Sequence, residues 1–219
     1  MDYEFISKHL PMYIEAAKLT LGIATLGILG ATILGFLCSL ASYYKVPVLK
    51  KIAAIYIELS RNTPLLVQLF FLYYGLPKLG IVLPAKTCAI AGLIFLGGSY
   101  MAETFRSGLE AVATIQSEAG LSLGLKRWQV LVYIVWPQAL AVSLPGYSAN
   151  VIFMIKETSA FSVIALADLM FVAKDLIGLY YKTDEALFML VVAYLVILLP
   201  ISLGLTVVER RIRHAGAWN

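Results

Sequence analysis

The 219-residue chain is 61% hydrophobic and 14% charged, with 17 basic and 13 acidic residues giving a formal net charge of +4; its mean hydropathy is +0.86. Soluble domains run at roughly 45–50% apolar, so this composition excludes a disordered chain, a secreted disulfide scaffold and a nucleic-acid binder. It points to an all-α, multi-pass membrane protein whose basic residues mark cytoplasmic loops.

The first dozen residues carry Asp2 and Glu4 and lead into a long apolar run. A signal-peptide core is only ~7–15 residues and ends in a small-residue cleavage site. Neither feature is present, so the first span is expected to stay. Residues 19–44 and 186–208 carry no charge, residues 62–77 and 87–102 form shorter uncharged windows, and a stretch around 146–168 holds Lys156 and Glu157 in its middle. About 20 residues are needed to cross the hydrocarbon core. Extended by flanking turns, these windows predict five spans, at 15–44, 60–77, 86–106, 146–168 and 186–208, within one domain over 1–219.

Along the first span, Gly27, Ala31 and Gly35 stack four apart, a stripe that lets another helix approach closely, with packing inside the chain as the simpler use. Cys38 and Cys88 show no metal or redox spacing and read as small hydrophobes. Val48, Ile52, Ile55 and Leu59 make an apolar stripe opposite Lys50, Lys51 and Glu58, the pattern of an amphipathic helix at the cytoplasmic interface.

Charge bias orients the spans. Segments after the first, third and fifth hold ten basic residues (Lys45, Lys50, Lys51, Arg61, Arg106, Lys126, Arg127, Arg210, Arg211, Arg213), whereas the opposite segments hold five (Lys8, Lys78, Lys86, Lys174, Lys182). The N-terminus is therefore expected outside and the C-terminus in the cytoplasm.

The cytoplasmic loop over 107–140 is too apolar for a plain linker. Gly124 suits a helix C-terminus, Trp128, Leu131, Val132 and Val135 follow at helical spacing, and Pro137 suits a helix stop. Two short helices meeting at Gly124 are expected, either resting on lipid or inserting into a groove on a cytoplasmic partner.

Glu103 sits towards the cytoplasmic end of the third span, and Lys156 and Glu157 lie within the fourth. Such groups are costly at that depth and tend to face a cavity or a partner. Glu103 with Arg106, at i and i+3, is the competing local pair. Adjacent Lys156 and Glu157 point in different directions on a helix, which favours a role in binding. Glu103 or Glu157 would meet an ammonium group or a polar side chain. Asn62-Thr63-Pro64 is the second candidate. Pro64 suits a first helical turn that Thr63 or Asn62 could cap, and Gln68 lies one turn on. A helix restarting inside the membrane aims its positive end at a substrate carboxylate; a membrane-entry turn is the plainer alternative. The two together describe a site for a zwitterion.

Glu118-Ala119-Gly120, three residues, Gly124, nine residues, Ile134, one residue and Trp136-Pro137 resembles the EAA signature, E-A-A-x3-G-x9-I-x-L-P, of ABC importer permeases; Gly120 and Trp136 depart from it. Arg61-Asn62-Thr63-Pro64 through Phe70, Tyr100 through Arg106, and Lys156-Glu157-Thr158-Ser159 resemble the polar-amino-acid-uptake subgroup, in which Gly is usual where Asn62 stands. The resemblance runs from about Thr20 to His214. It implies a type I ABC importer permease fold, with coupling helices around Glu118, Ala119, Gly120, Gly124, Lys126 and Arg127. The candidate substrate-binding residues are Asn62, Thr63, Pro64, Gln68, Glu103, Lys156, Glu157, Thr158 and Ser159. The resemblance further implies a bacterial inner-membrane location and three partners: two copies of an ATP-binding subunit, an extracytoplasmic amino-acid-binding protein, and a second permease copy or a paralogue.

The chain has no Walker-type G-x4-G-K-S/T, no His-Glu-x-x-His, no G-x-S-x-G and no Cys/His cluster, and only two histidines, His9 and His214. No enzymatic activity, metal or cofactor is expected of it; ATP and Mg would belong to the partner ATPase. A non-transporting scaffold or a small channel is the alternative, but a channel has no use for the docking loop and a scaffold none for buried charges.

Overall fold

The computed structural model describes residues 1–215, with side chains through residue 212. The side chain of Arg213, included in the charge count, and that of His214 lie outside the described residues. The described residues contain nine α-helices and no strand. They are α1 Tyr3–Tyr43, α2 Pro47–Arg61, α3 Leu65–Phe70, α4 Ala85–Ala111, α5 Thr114–Ser122, α6 Arg127–Val130, α7 Trp136–Glu157, α8 Leu169–Tyr180 and α9 Thr183–Ala215. α3 continues through a wide π turn, Phe71–Gly75, and a tight 3-10 turn, Leu76–Leu79. A second π turn, Leu131–Val135, joins α6 to α7, and a 3-10 turn, Thr158–Ile164, extends α7.

Four helical stretches are long and apolar enough to cross a membrane: Tyr3–Tyr43, Ala85–Ala111, Arg127–Ile164 and Thr183–Ile212. They outrun the uncharged windows because a helix need not end where the charges begin. α1 starts at Tyr3 because the Asp2 carboxylate accepts the Phe5 N–H at 3.0 Å, and its first turns carry Glu4, Lys8 and a Glu15–Lys18 pair at 2.6 Å. The expected span over 60–77 differs most. Its helix runs only over Leu65–Leu79, roughly 22 Å at 1.5 Å per residue, against a hydrocarbon core of about 30 Å.

The directions of the helices follow from contacts between small residues. The position a Cβ would take on Gly27 meets Leu93, on Gly30 meets Ile94, and on Gly35 lies 2.7 Å from the backbone nitrogen of Ala102. Numbers rise together, so α1 and α4 run parallel with backbones nearly in contact, and the Gly27–Ala31–Gly35 stripe is used within the chain. Gly97 faces Met154 and Gly108 faces Ser143, so α7 runs antiparallel to α4. α9 runs with α1: Tyr13 donates to the Ala186 carbonyl at 2.7 Å, and Ile6, Leu10 and Ile14 share a groove with Phe188, Val192 and Val196. α2 returns along α1, its Leu49, Ile52 and Tyr56 facing Tyr44, Cys38 and Leu34. Val48, Ile52, Ile55 and Leu59 stay exposed, as the amphipathic pattern requires.

At the end where α1 and α9 begin, Lys182 lies 3.1 Å from the Asp2 carboxylate. The Phe5 N–H and then this ammonium hold the Asp2 carboxyl below its usual range. Cys88 is buried, Cys38 half-buried, and both are free thiols.

Two local expectations are corrected. Pro137 does not stop a helix: it sits in the first turn of α7, and the helical path runs from Arg127 to Ile164. Proline removes one N–H and clashes with the carbonyl four residues back; the π turn Leu131–Val135 directly before it widens the helix where that clash would fall. Asn62 and Thr63 do not cap α3. The Asn62 amide donates to the Glu58 carbonyl at 2.8 Å and the Thr63 hydroxyl to the Leu59 carbonyl at 2.7 Å. They close α2, and α3 starts after Pro64 with no side-chain cap.

Candidate functional site

The break between α2 and α3 falls beside the middle of α4. Ser60 donates to the Phe95 carbonyl at 2.8 Å and to the Ser99 hydroxyl at 3.0 Å, and Tyr56 to the same Phe95 carbonyl at 2.7 Å. Gln68 is buried behind the break, and its amide donates to the Thr63 carbonyl at 3.0 Å and the Ser60 carbonyl at 3.3 Å. That side chain braces the interruption from inside, where α2 and α3 leave carbonyls free.

In front of the break lies a cavity of about 500 Å³. Arg61, Asn62, Thr63 and Pro64 form one wall, Leu96 and Tyr100 of α4 a second, and Phe153, Glu157 and Ala160 a third. Four of the nine candidate binding residues, Asn62, Thr63, Pro64 and Glu157, thus meet in one place. The others do not line it. Gln68 is behind the break. Lys156 is exposed elsewhere. The Thr158 hydroxyl is buried and donates to the Ile155 carbonyl at 2.7 Å, and the Ser159 carbonyl accepts from Ser162 at 3.2 Å.

Glu103 lines a second polar cavity of about 400 Å³, further along α4, with Thr104, Arg106, Ser107, Ser143 and Gly146. Arg106 grips Glu103 with two hydrogen bonds, Nε to Oε1 at 3.2 Å and Nη2 to Oε2 at 2.7 Å, and reaches Glu110 at 2.8 Å. The local pair therefore forms, and Glu103 enters it with its charge neutralised. Thr104 ties this level to α7, accepting from Asn150 at 2.9 Å through its hydroxyl and from Ser143 at 3.2 Å through its carbonyl.

Charge bias alone groups Arg61 with the loop charges, whereas it lines both cavities. Its guanidinium lies 3.7 Å from Glu103 and 5.2 Å from the centre of the Tyr100 ring. A signal was present. Arg61 immediately precedes one uncharged window and Glu103 immediately follows the next. Antiparallel neighbours of similar length bring two such residues together.

The second feature is the elbow between α5 and α6. α5 closes in a Schellman motif: Leu125 N–H donates to the Gly120 carbonyl at 3.1 Å and Gly124 N–H to the Leu121 carbonyl at 3.0 Å, with Gly124 at φ +83°. α6 starts two residues later, where Gln129 accepts the Lys126 N–H at 2.8 Å. Leu109, Val130, Leu131, Val135 and Ala139, flanked by Leu40 and Tyr43, pack the elbow onto the ends of α1 and α4. Glu118, Ala119, Gly124, Lys126 and Arg127 are exposed, and Leu123 at the tip is 83% exposed. Gly120 is buried instead. A methyl group there would come within 2.6 Å of Ile134 Cδ1, so the departure from the EAA pattern makes room for the isoleucine of the same motif.

No group of three or more His, Cys, Asp or Glu side chains suited to a metal ion occurs among the described residues.

Comparison with known proteins gives the family. Residues 21–214 match the family described as "binding-protein-dependent transport system inner membrane component". The chain is 34% identical to the glutamine transport system permease protein GlnP of Escherichia coli K12, over 97% of this chain and 98% of that protein. It is 38% identical to the probable amino-acid permease protein YxeN of Bacillus subtilis, over 73% and 72% of the two chains. Among solved structures, an amino acid ABC transporter with histidines superposes with a TM-score of 0.88 at 33% identity, over 96% of this chain and 99% of that one. An inward-facing methionine ABC transporter shares the fold, with a TM-score of 0.80 at 14% identity. The chain belongs to the family of inner membrane components of binding-protein-dependent transport systems.

Proposed function

We propose that this chain is the membrane-spanning subunit of an ATP-driven importer that carries a polar amino acid across the bacterial inner membrane. The observation that carries the reading is the cavity of about 500 Å³ lined by both a helix break and Glu157. A free amino acid presents an ammonium and a carboxylate together. Glu157 offers the ammonium a partner, and the break offers polar groups where a continuous helix would offer none. Relatives named as glutamine and amino-acid permeases support that substrate class.

The path is proposed to comprise five crossings. α1, α4 and α9 run one way and α7 the other, so the chain must return once more between the end of α1 and the start of α4. α2 and the Leu65–Leu79 helix make that return as two halves interrupted at 62–64. With the basic residues on the cytoplasmic side, the N-terminus is outside and the elbow at Gly124 faces the cytoplasm. The elbow docks on a separate ATP-binding subunit, two copies of which serve a pair of permeases, identical or paralogous, and an external binding protein delivers the amino acid. ATP and Mg are held by the ATPase, and this chain supplies shape and coupling without covalent chemistry. ATP-driven closure of that subunit moves the elbow, and the spans rock between outward-open and inward-open states.

Native mass spectrometry of the complex, captured from membranes through this chain, tests the assembly; two permease chains with two ATP-binding subunits are expected, and a solitary chain would refute it. Uptake of each of the twenty amino acids into proteoliposomes tests the cargo. Glu157→Gln should lower uptake of the transported amino acid roughly tenfold with assembly intact, the scale of one charge-assisted hydrogen bond. Unchanged uptake would remove Glu157 from the site.

A further inference from the structure

Arg61 is the one side chain, among the described residues, that lines both polar cavities. The cavities are stacked along the α4–α7 pair. The first lies beside Tyr100 and Phe153, and the second beside Glu103 and Gly146, about a turn further along α4 and two turns back along α7. Arg61 stands at the boundary between them.

That guanidinium is weakly held. It makes no hydrogen bond among the described residues, it rests 5.2 Å from the Tyr100 ring centre, and its ion pair with Glu103 is 3.7 Å long, with both side chains more than a quarter exposed. Half-exposed pairs of that length contribute little. Glu103 does not depend on it either, because Arg106 already binds both carboxylate oxygens. Arg61 can therefore leave Glu103 without stranding a charge, and its planar fork matches a carboxylate better than any other group on the cavity wall.

We propose that Arg61 is the substrate's carboxylate ligand and the movable partition between the two cavities. An α-amino acid in the first cavity, its ammonium toward Glu157, draws the guanidinium off Glu103 onto its own carboxylate, and that shift opens the way into the second cavity. This rests on the reading of the first cavity as an amino-acid site. Arg61 and Glu103 then compete, and removing one has the opposite effect to removing the other.

The test uses the complete transporter in proteoliposomes, with labelled L-glutamine, L-histidine, L-arginine and L-glutamate as probes and their α-carboxamides as competitors. Arg61→Gln should raise KM for the transported amino acid roughly ten- to hundredfold, the range of one hydrogen bond to a charged group. The same change should abolish preference over the carboxamide and end stimulation of ATP hydrolysis by that amino acid. Glu103→Gln should lower KM, and Arg61→Lys should recover part of the preference for the carboxylate. Co-purification of each variant with the ATPase separates these effects from misassembly. If Arg61→Gln assembles and keeps both KM and the carboxylate preference, Arg61 is not the ligand. If Glu103→Gln assembles and raises KM as Arg61→Gln does, the two do not compete and the partition is wrong. If the wild-type complex takes up none of the twenty amino acids, it is the amino-acid reading itself that fails.

Discussion

Gly35 and Gly22 lie on the same helix under opposite constraints. At Gly35 a Cβ would stand 2.7 Å from the Ala102 nitrogen and 2.9 Å from the Gly98 carbonyl oxygen, both backbone atoms, whereas at Gly22 nothing lies within 4 Å. Backbone cannot swing aside as a flexible side chain can. Gly35→Ala must separate α1 from α4, at about 1–3 kcal/mol as for other overpacked positions. Gly22→Ala meets open space and gains helix propensity, at most about 1 kcal/mol. Thermal unfolding in mild detergent should show a lower midpoint for Gly35→Ala and an unchanged or higher one for Gly22→Ala. Equal midpoints would mean that the close α1–α4 approach does not contribute to stability.

Among the elements, the elbow carries the sharpest expectation. Gly124 has φ +83° with no neighbour in the way, so the cost of a side chain there is conformational, roughly 1 kcal/mol for alanine in the left-handed region. Gly124→Ala should keep the membrane fold and loosen the elbow. Gly124→Trp adds bulk to the exposed tip, and Glu118→Lys reverses an exposed charge beside it. Both should cut ATPase association and transport while the permease remains folded, as judged by its elution as a single species. Full ATPase association and transport in both variants would refute the docking role.

The elbow was legible because glycine at a helix end and the apolar spacing after it are local signals. The α1 stripe was legible for the same reason, since a four-residue repeat needs no partner to be recognised. Pro137 was not, because the π turn that lets a helix pass a proline is a backbone adjustment without a residue signature. Asn62 and Thr63 suit caps for the helix after them, but each bonds backward to Glu58 or Leu59, and the residue types allow either direction. Arg61 was missed because charge counting treats every basic residue at a span's end alike. Its pairing with Glu103 is signalled only by their places at matching ends of two successive uncharged windows, which a count of charges does not weigh.

At the scale of the whole molecule, the proposed inside-out assignment rests on charge and on helix directions, and it has a direct consequence. α1 and α9 begin at one end, where Lys182 lies beside Asp2 and Tyr181 is 87% exposed. The elbow, with Leu123 at its tip, packs on the end where α1 finishes. Single cysteines replacing Tyr181 or Leu123, in a background with Cys38 and Cys88 changed to alanine, sample the two ends with side chains that touch little else. A membrane-impermeant maleimide added to intact spheroplasts should label Tyr181→Cys. It should reach Leu123→Cys only after the membrane is opened, and an ATPase docked on the elbow should slow that second reaction. The reverse order would place the N-terminus in the cytoplasm and remove the elbow from any cytoplasmic ATPase. Labelling of both positions from the same side would mean that an even number of crossings separates them, and the Arg127–Ile164 helix between them would then not be a crossing.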